Sequence, residues 1–107
     1  MDLARFDIPE SEEHPVEAII ARRRRQILVH SYLYYRLDES LISDSVFDQW
    51  CRDLVDLQAE HPKEARRAPF SDVFESFDGS TGFDLPLDAP WISSVAYQLL
   101  RTRRGLR

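Results

Sequence analysis

Apolar side chains recur along this chain at three- and four-residue intervals, and no stretch shows the period of two that a half-buried strand needs. Val16, Ile19, Ile20, Ile27, Ser31 and Tyr34 fall near one stripe and predict a helix from about Val16 to Leu37. Pro15 suits its first turn, and Glu17 suits the positive end of its dipole. The second period is cleaner: Phe47, Trp50, Cys51, Leu54, Leu57 and Gln58 share one side, with Asp48, Arg52, Asp53, Asp56 and Glu60 on the other. Ser43 or Asp44 caps this helix. His61-Pro62 ends it, because the residue before a proline is pushed out of the helical region. Lys63 to Pro69 is polar and reads as a loop. Phe70, Val73, Phe74 and Phe77 predict a short amphipathic helix capped by Ser71. Asp78-Gly79-Ser80-Thr81-Gly82 has the composition of a turn, and Phe83 to Leu87 reads as irregular. Asp88 is placed to cap a final helix with Pro90 in its first turn. Trp91, Ile92, Val95, Ala96, Leu99 and Leu100 form its apolar face. Arg101, Arg103 and Arg104 sit at its negative end, and Gly105 stops it.

The expected fold is therefore all-α: a small domain of three to four helices. The first two form an antiparallel pair with a short connection, and the C-terminal helix packs on that pair. A chain of 107 residues holds one such domain. Residues 1–14 read as an acidic flexible arm and residues 15–107 as the helical domain.

Charge narrows the function. The formal net charge of -5 argues against a general nucleic-acid binder, which needs a positive field. The distribution is uneven, with basic runs at Arg22–Arg25 and from Arg101 to Arg107. Arg22, Arg23, Arg24 and Arg25 interrupt the apolar stripe of the first helix. They read as a solvated face, with a nucleotide phosphate or an acidic partner as the alternatives. The single cysteine, Cys51, allows neither an intrachain disulfide nor a cysteine-based zinc cluster. His14, His30 and His61 lack metal-ligand spacing, so no metal is expected. No apolar run is long enough to span a membrane, and Met1 to Pro9 lacks the regions of a signal peptide. The chain reads as cytoplasmic.

The chemistry concentrates between Tyr32 and Asp48. Tyr32, Tyr34 and Tyr35 stand near the end of the first helix, and Asp44 and Asp48 stand one turn apart on the second. A short break joins the two helices, so phenols and carboxylates can converge. Aromatic faces attract cations and stack on flat rings. Carboxylates accept hydrogen bonds from amides and ribose hydroxyls. An oxidised nicotinamide nucleotide offers all of these groups.

The segment 20–62 resembles the N-terminal Ia domain of bacterial NAD-dependent DNA ligases. That family has closely spaced tyrosines and an aspartate, then Ser-Asp-x-x-Tyr-Asp, Leu-x-x-Leu and a terminal His-Pro. The corresponding residues are Tyr32, Tyr34, Tyr35 and Asp38, then Ser43-Asp44-Ser45-Val46-Phe47-Asp48, Leu54-Val55-Asp56-Leu57 and His61-Pro62. The resemblance implies that Tyr34, Tyr35, Asp44, Phe47 and Asp48 contact nicotinamide mononucleotide or the matching half of NAD. Phe47 departs from the family tyrosine: stacking survives, but a hydroxyl worth about 1 kcal/mol in net hydrogen bonding is absent.

The family's adenylation motif, Lys-x-Asp-Gly, is not in this sequence. Lys63 precedes Glu64-Ala65-Arg66, and Asp78-Gly79 follows Ser76-Phe77. Residues 63–107 diverge from the ligases and resemble small stand-alone ligase-related proteins of bacteriophages. The leading expectation is a non-catalytic, phage-encoded module that binds a nicotinamide nucleotide. The alternative is an interaction module that modulates a host protein, such as the adenylation domain of the host ligase. A third reading is an enzyme that cleaves a nicotinamide nucleotide, with Asp44 or Asp48 stabilising an oxocarbenium-like transition state.

Overall fold

Residues 15–79 and 85–103 are described by the computed structural model, and five helices carry most of them: α1 Pro15–Leu37, α2 Asp44–Glu60, α3 Pro62–Arg67, α4 Ser71–Phe74 and α5 Pro90–Arg103. No strand occurs among the described residues, as the all-α expectation requires. The acidic arm 1–14, the Ser80–Gly82 part of the turn and the stop at Gly105 lie outside them.

α1 is the central helix and packs against α2, α3 and α5. Ile20, Ala21, Ile27 and Leu28 face a core shared with Cys51, Leu54, Phe74, Leu87 and Ile92. Val29 and Leu33 face a second cluster with Ala96 and Leu100. Two buried faces explain why the single stripe read from sequence was too narrow. Tyr34 leaves that stripe altogether, with 51% of its surface exposed.

The order of contacts shows that α1 and α2 run in opposite directions. Arg24 reaches Gln58 at 2.9 Å, His30 meets the edge of Trp50 at 5.3 Å, and Tyr34 shares a cleft with Phe47. As numbers rise along α1, those of its partners fall along α2. The turn between them is tight. Asp38 adopts the left-handed conformation, φ 57°, and the Glu39 amide turns back to the Leu33 carbonyl at 2.8 Å. Aspartate tolerates that conformation better than most side chains. Ser43 then caps α2, its hydroxyl accepting from the Val46 amide at 3.2 Å, and Asp44 is the first helical residue.

Three local expectations need correction. The stretch from Lys63 to Pro69 is mostly helix: Pro62 opens α3, where its missing amide costs nothing, and Arg67 ends it. α4 is not capped by Ser71. Its cap position is Phe70, in the left-handed region at φ 69°, with no side-chain hydrogen bond. The Phe70 ring packs against Trp91 of α5 at 5.6 Å, which ties this strained turn to the last helix. Asp88 does not cap α5 either. It pairs with Arg36 at 3.1 Å, while the Ile92 amide bonds the Ala89 carbonyl.

α5 buries Ile92, Ala96 and Leu100, one turn apart, while Val95 stays 38% exposed at the edge of the face assigned to it. Gly79 has φ 84°, and a Cβ there would lie 3.2 Å from Val55 Cγ2, so the approach to α2 requires glycine.

Candidate functional site

The end of α1, the connecting residues 38–43 and the first turn of α2 enclose a cleft of about 230 Å³. Tyr34, Tyr35, Asp44, Phe47 and Asp48 all stand on its wall. The two tyrosine rings meet edge to face, 4.8 Å apart at 87°. Both are open to solvent. Phe47 is half-buried and packs against the core, which fixes the cleft floor. Asp44 and Asp48 are exposed at the start of α2, on adjacent turns of one face.

Tyr32 is not part of this arrangement. It packs against both core clusters. Burial, then the charge of Tyr97 of α5 and a hydrogen bond with it, hold its phenol above the usual pKa. The cleft therefore has two phenols and one phenyl ring where three phenols were expected.

Sequence reasoning missed His30 and residues 39–42, which complete the wall. His30 lies four residues before Tyr34, on the same side of α1, so helical spacing held the signal. Burial pushes its pKa down, so at neutral pH it presents an uncharged imidazole. Glu39, Asp44 and Asp48 then give the cleft a negative lining. Such a site attracts a cation rich in hydrogen-bond donors and disfavours a bare anion.

The four arginines of α1 do not form a face. Successive residues of a helix turn by about 100°, and the run is split accordingly. Arg24 is 2% exposed. It donates to Gln58 and to the carbonyls of Ala65, Ala68 and Pro69, so it is not available to a partner. Arg23 lies over the Trp50 ring at 4.8 Å, and burial lowers its pKa while Asp53 opposes the shift. Only Arg22 and Arg25 of the run are exposed. They border a second cleft of about 640 Å³ between α1 and α5, with Trp91, Val95 and Leu99 on its far side.

Cys51 is buried. Burial, then the charge of Asp48, pushes its thiol from 9.0 up to about 11, which makes it a poor nucleophile at neutral pH. Among the described residues no group of His, Cys, Asp or Glu side chains is arranged to hold a metal, and no helix is long and apolar enough to cross a membrane.

An antiparallel helix pair with aromatic and acidic side chains gathered at its connection defines a small all-α module. Comparison with known families makes the class specific. Residues 13–68 match the DNA ligase-like, N-terminal NAD+-binding domain, and the chain belongs to that family. It is 43% identical over 51 residues to the DNA ligase of Anoxybacillus flavithermus, covering 48% of this chain and 8% of that ligase. It is 48% identical over 44 residues to the DNA ligase of Heliobacterium modesticaldum, covering 41% and 6%. Over 40 residues it is 50% identical to the DNA ligase of Roseiflexus castenholzii, covering 37% and 6%. The chain thus matches less than a tenth of the length of these curated relatives. No solved structure gives a significant match. α4 and α5 lie beyond the residues matched to the family.

Proposed function

We propose that this chain binds a nicotinamide nucleotide, as nicotinamide mononucleotide or the same half of NAD, in the cleft between α1 and α2. The observation that carries the reading is the convergence of Tyr34, Tyr35, Asp44, Phe47 and Asp48 on one cleft, in a family described as NAD+-binding. The pyridinium rests against the aromatic faces, where its charge meets their negative quadrupoles. Asp44 and Asp48 accept hydrogen bonds from the ribose hydroxyls or the carboxamide. At about 230 Å³ the cleft is smaller than a typical ligand pocket of 300–1,000 Å³, which suits a ring and sugar rather than a whole dinucleotide. These 107 residues contain no Lys-x-Asp-Gly, so we assign them no adenylyl transfer of their own. Calorimetric titration with nicotinamide mononucleotide and NAD is the test. No heat and no thermal shift at millimolar ligand would overturn the assignment.

A second reading is supported by the cleft between α1 and α5. Arg22, Arg25 and Trp91 on its walls suit an acidic protein segment with apolar anchors. In a phage-infected cell such a partner would come from the host, its ligase included. Charge reversal of Arg22 and Arg25 would abolish capture of a host protein while leaving nucleotide binding intact.

A further inference from the structure

Among the described residues, the wall of the proposed nucleotide cleft holds Glu39, Asp44 and Asp48 and no arginine or lysine. The 5′-phosphate of a nicotinamide nucleotide is an anion and is repelled from such a wall. It must leave the cleft at a rim that carries a cation. Among the described residues three arginines are candidates. Arg36 follows Tyr35, but its charge is matched by Asp88 at 3.1 Å. Arg52 lies one turn beyond Asp48 and is held by Gln49 at 2.9 Å. Arg103, in the last turn of α5, reaches the connection between α1 and α2, where its Nη1 donates to the Ser40 carbonyl at 3.5 Å. Ser40 is part of the cleft wall.

The Ser40 carbonyl is neutral and the contact is long, so the guanidinium keeps its charge and most of its five donors. Arg103 is exposed and has no carboxylate partner among the described residues. Its geometry at the rim is that of an anion hook beside an acidic cleft. A planar guanidinium also matches the oxygens of a phosphate monoester or diphosphate, which it can bind through two parallel hydrogen bonds.

We propose that Arg103 binds the phosphate of the nucleotide, so that α5 completes a site whose other residues come from the family segment. The inference rests on the nicotinamide-nucleotide reading and adds a ligand preference: a phosphorylated nucleotide over its nucleoside. The probes are nicotinamide riboside and nicotinamide mononucleotide, which differ only by the phosphate. At low ionic strength the wild-type chain binds the mononucleotide roughly fivefold or more tightly, and salt erodes that preference. Arg103→Gln removes the preference and leaves riboside affinity unchanged, while Arg103→Lys keeps part of it. Because Arg103 is exposed at a helix end, the substitution leaves the thermal melt in place. A preference that survives in Arg103→Gln would overturn the proposal, as would parallel loss of both ligands, which would give the residue a structural role. Equal binding of the two ligands to the wild type overturns the Arg103 assignment alone. Binding of neither overturns the nucleotide reading with it.

Discussion

Arg24 Nη2 donates to the carbonyl of Ala65 at 2.8 Å, across 41 residues of chain. The same guanidinium takes the carbonyls of Ala68 and Pro69 and the side chain of Gln58. The carbonyls of the last helical turn have no partner within the helix. Arg24 therefore caps the C-terminal end of α3 from inside the core and welds α1, α2 and α3 into one unit. Phe74 lies beneath it, 5.7 Å from the guanidinium carbon.

Replacing Arg24 with methionine keeps the stem and removes the donors. Buried carbonyls then lose their hydrogen bonds, and the expected loss is about 3 kcal/mol of folding stability. Arg24→Lys recovers only part of this, because an ammonium has three donors and no planar fork. Arg25→Met, one residue on and exposed, changes stability by less than about 0.5 kcal/mol. Urea denaturation of the three variants checks the order. Equal stability of Arg24→Met and Arg25→Met would refute the capping role.

Phe47 stands on the cleft wall, at the position of the tyrosine in the ligase motif that this segment resembles. Phe47→Tyr restores a hydroxyl at the edge of a half-buried ring. A recovered hydrogen bond is worth about 1 kcal/mol, or roughly fivefold in affinity for nicotinamide mononucleotide. Asp48→Asn acts in the opposite direction, weakening binding at least fivefold with little effect on the melt. Isothermal titration measures both. An unchanged dissociation constant in Phe47→Tyr would mean that the hydroxyl has no acceptor in the bound state.

What the sequence made legible was local. Ser43 and His61-Pro62 bound α2 through caps that act over four residues or fewer. Tyr34, Tyr35, Asp44 and Asp48 meet because a short break joins two helix ends. α3 was not legible, because six residues with one small apolar side chain, Ala65, carry no readable period. Its stabilising partner is Arg24, whose contacts lie more than 40 residues away. A run of four arginines looks solvated in one dimension, and only the tertiary position of α3 turns one of them inward. Ser71 and Asp88 misled for a related reason. Both have cap-like side chains, but Phe70 takes the cap position of α4 and packs on Trp91, and Asp88 pairs with Arg36.

The Cys51 thiol has a folded pKa of about 11, raised from 9.0 by burial. Below pH 9 both folded and unfolded states hold the proton and the thiol has no effect on the pH dependence. Between pH 9 and about 11 the unfolded state loses the proton first, so stability falls as pH rises. The slope is at most about 1.4 kcal/mol per pH unit. Cys51→Ala removes this alkaline slope at the cost of a small cavity. Urea midpoints measured from pH 8 to pH 11 test it. At pH 7.5 the thiol of the folded chain reacts slowly with a disulfide reagent and rapidly in denaturant.

His30 links stability to the cleft. Its ring packs on the edge of Trp50 and borders both clefts. Burial holds its pKa below the usual 6.5. The folded state therefore resists a proton that the unfolded state accepts. The stabilisation is fully present above pH 6.5 and is lost as pH falls through the folded pKa. Tyr34, Glu39, Asp44 and Asp48 share the first cleft with this imidazole, and Arg22 and Arg25 the second. Protonation places a cation beside the proposed pyridinium site, so acid weakens binding through the imidazole. Nicotinamide riboside is the right probe, because it has no phosphate to titrate in the same window. Its affinity is expected to fall as the pH drops below 6.5 in the wild type and to stay level in His30→Gln. A decline of equal size in both would show that His30 is not the group responsible.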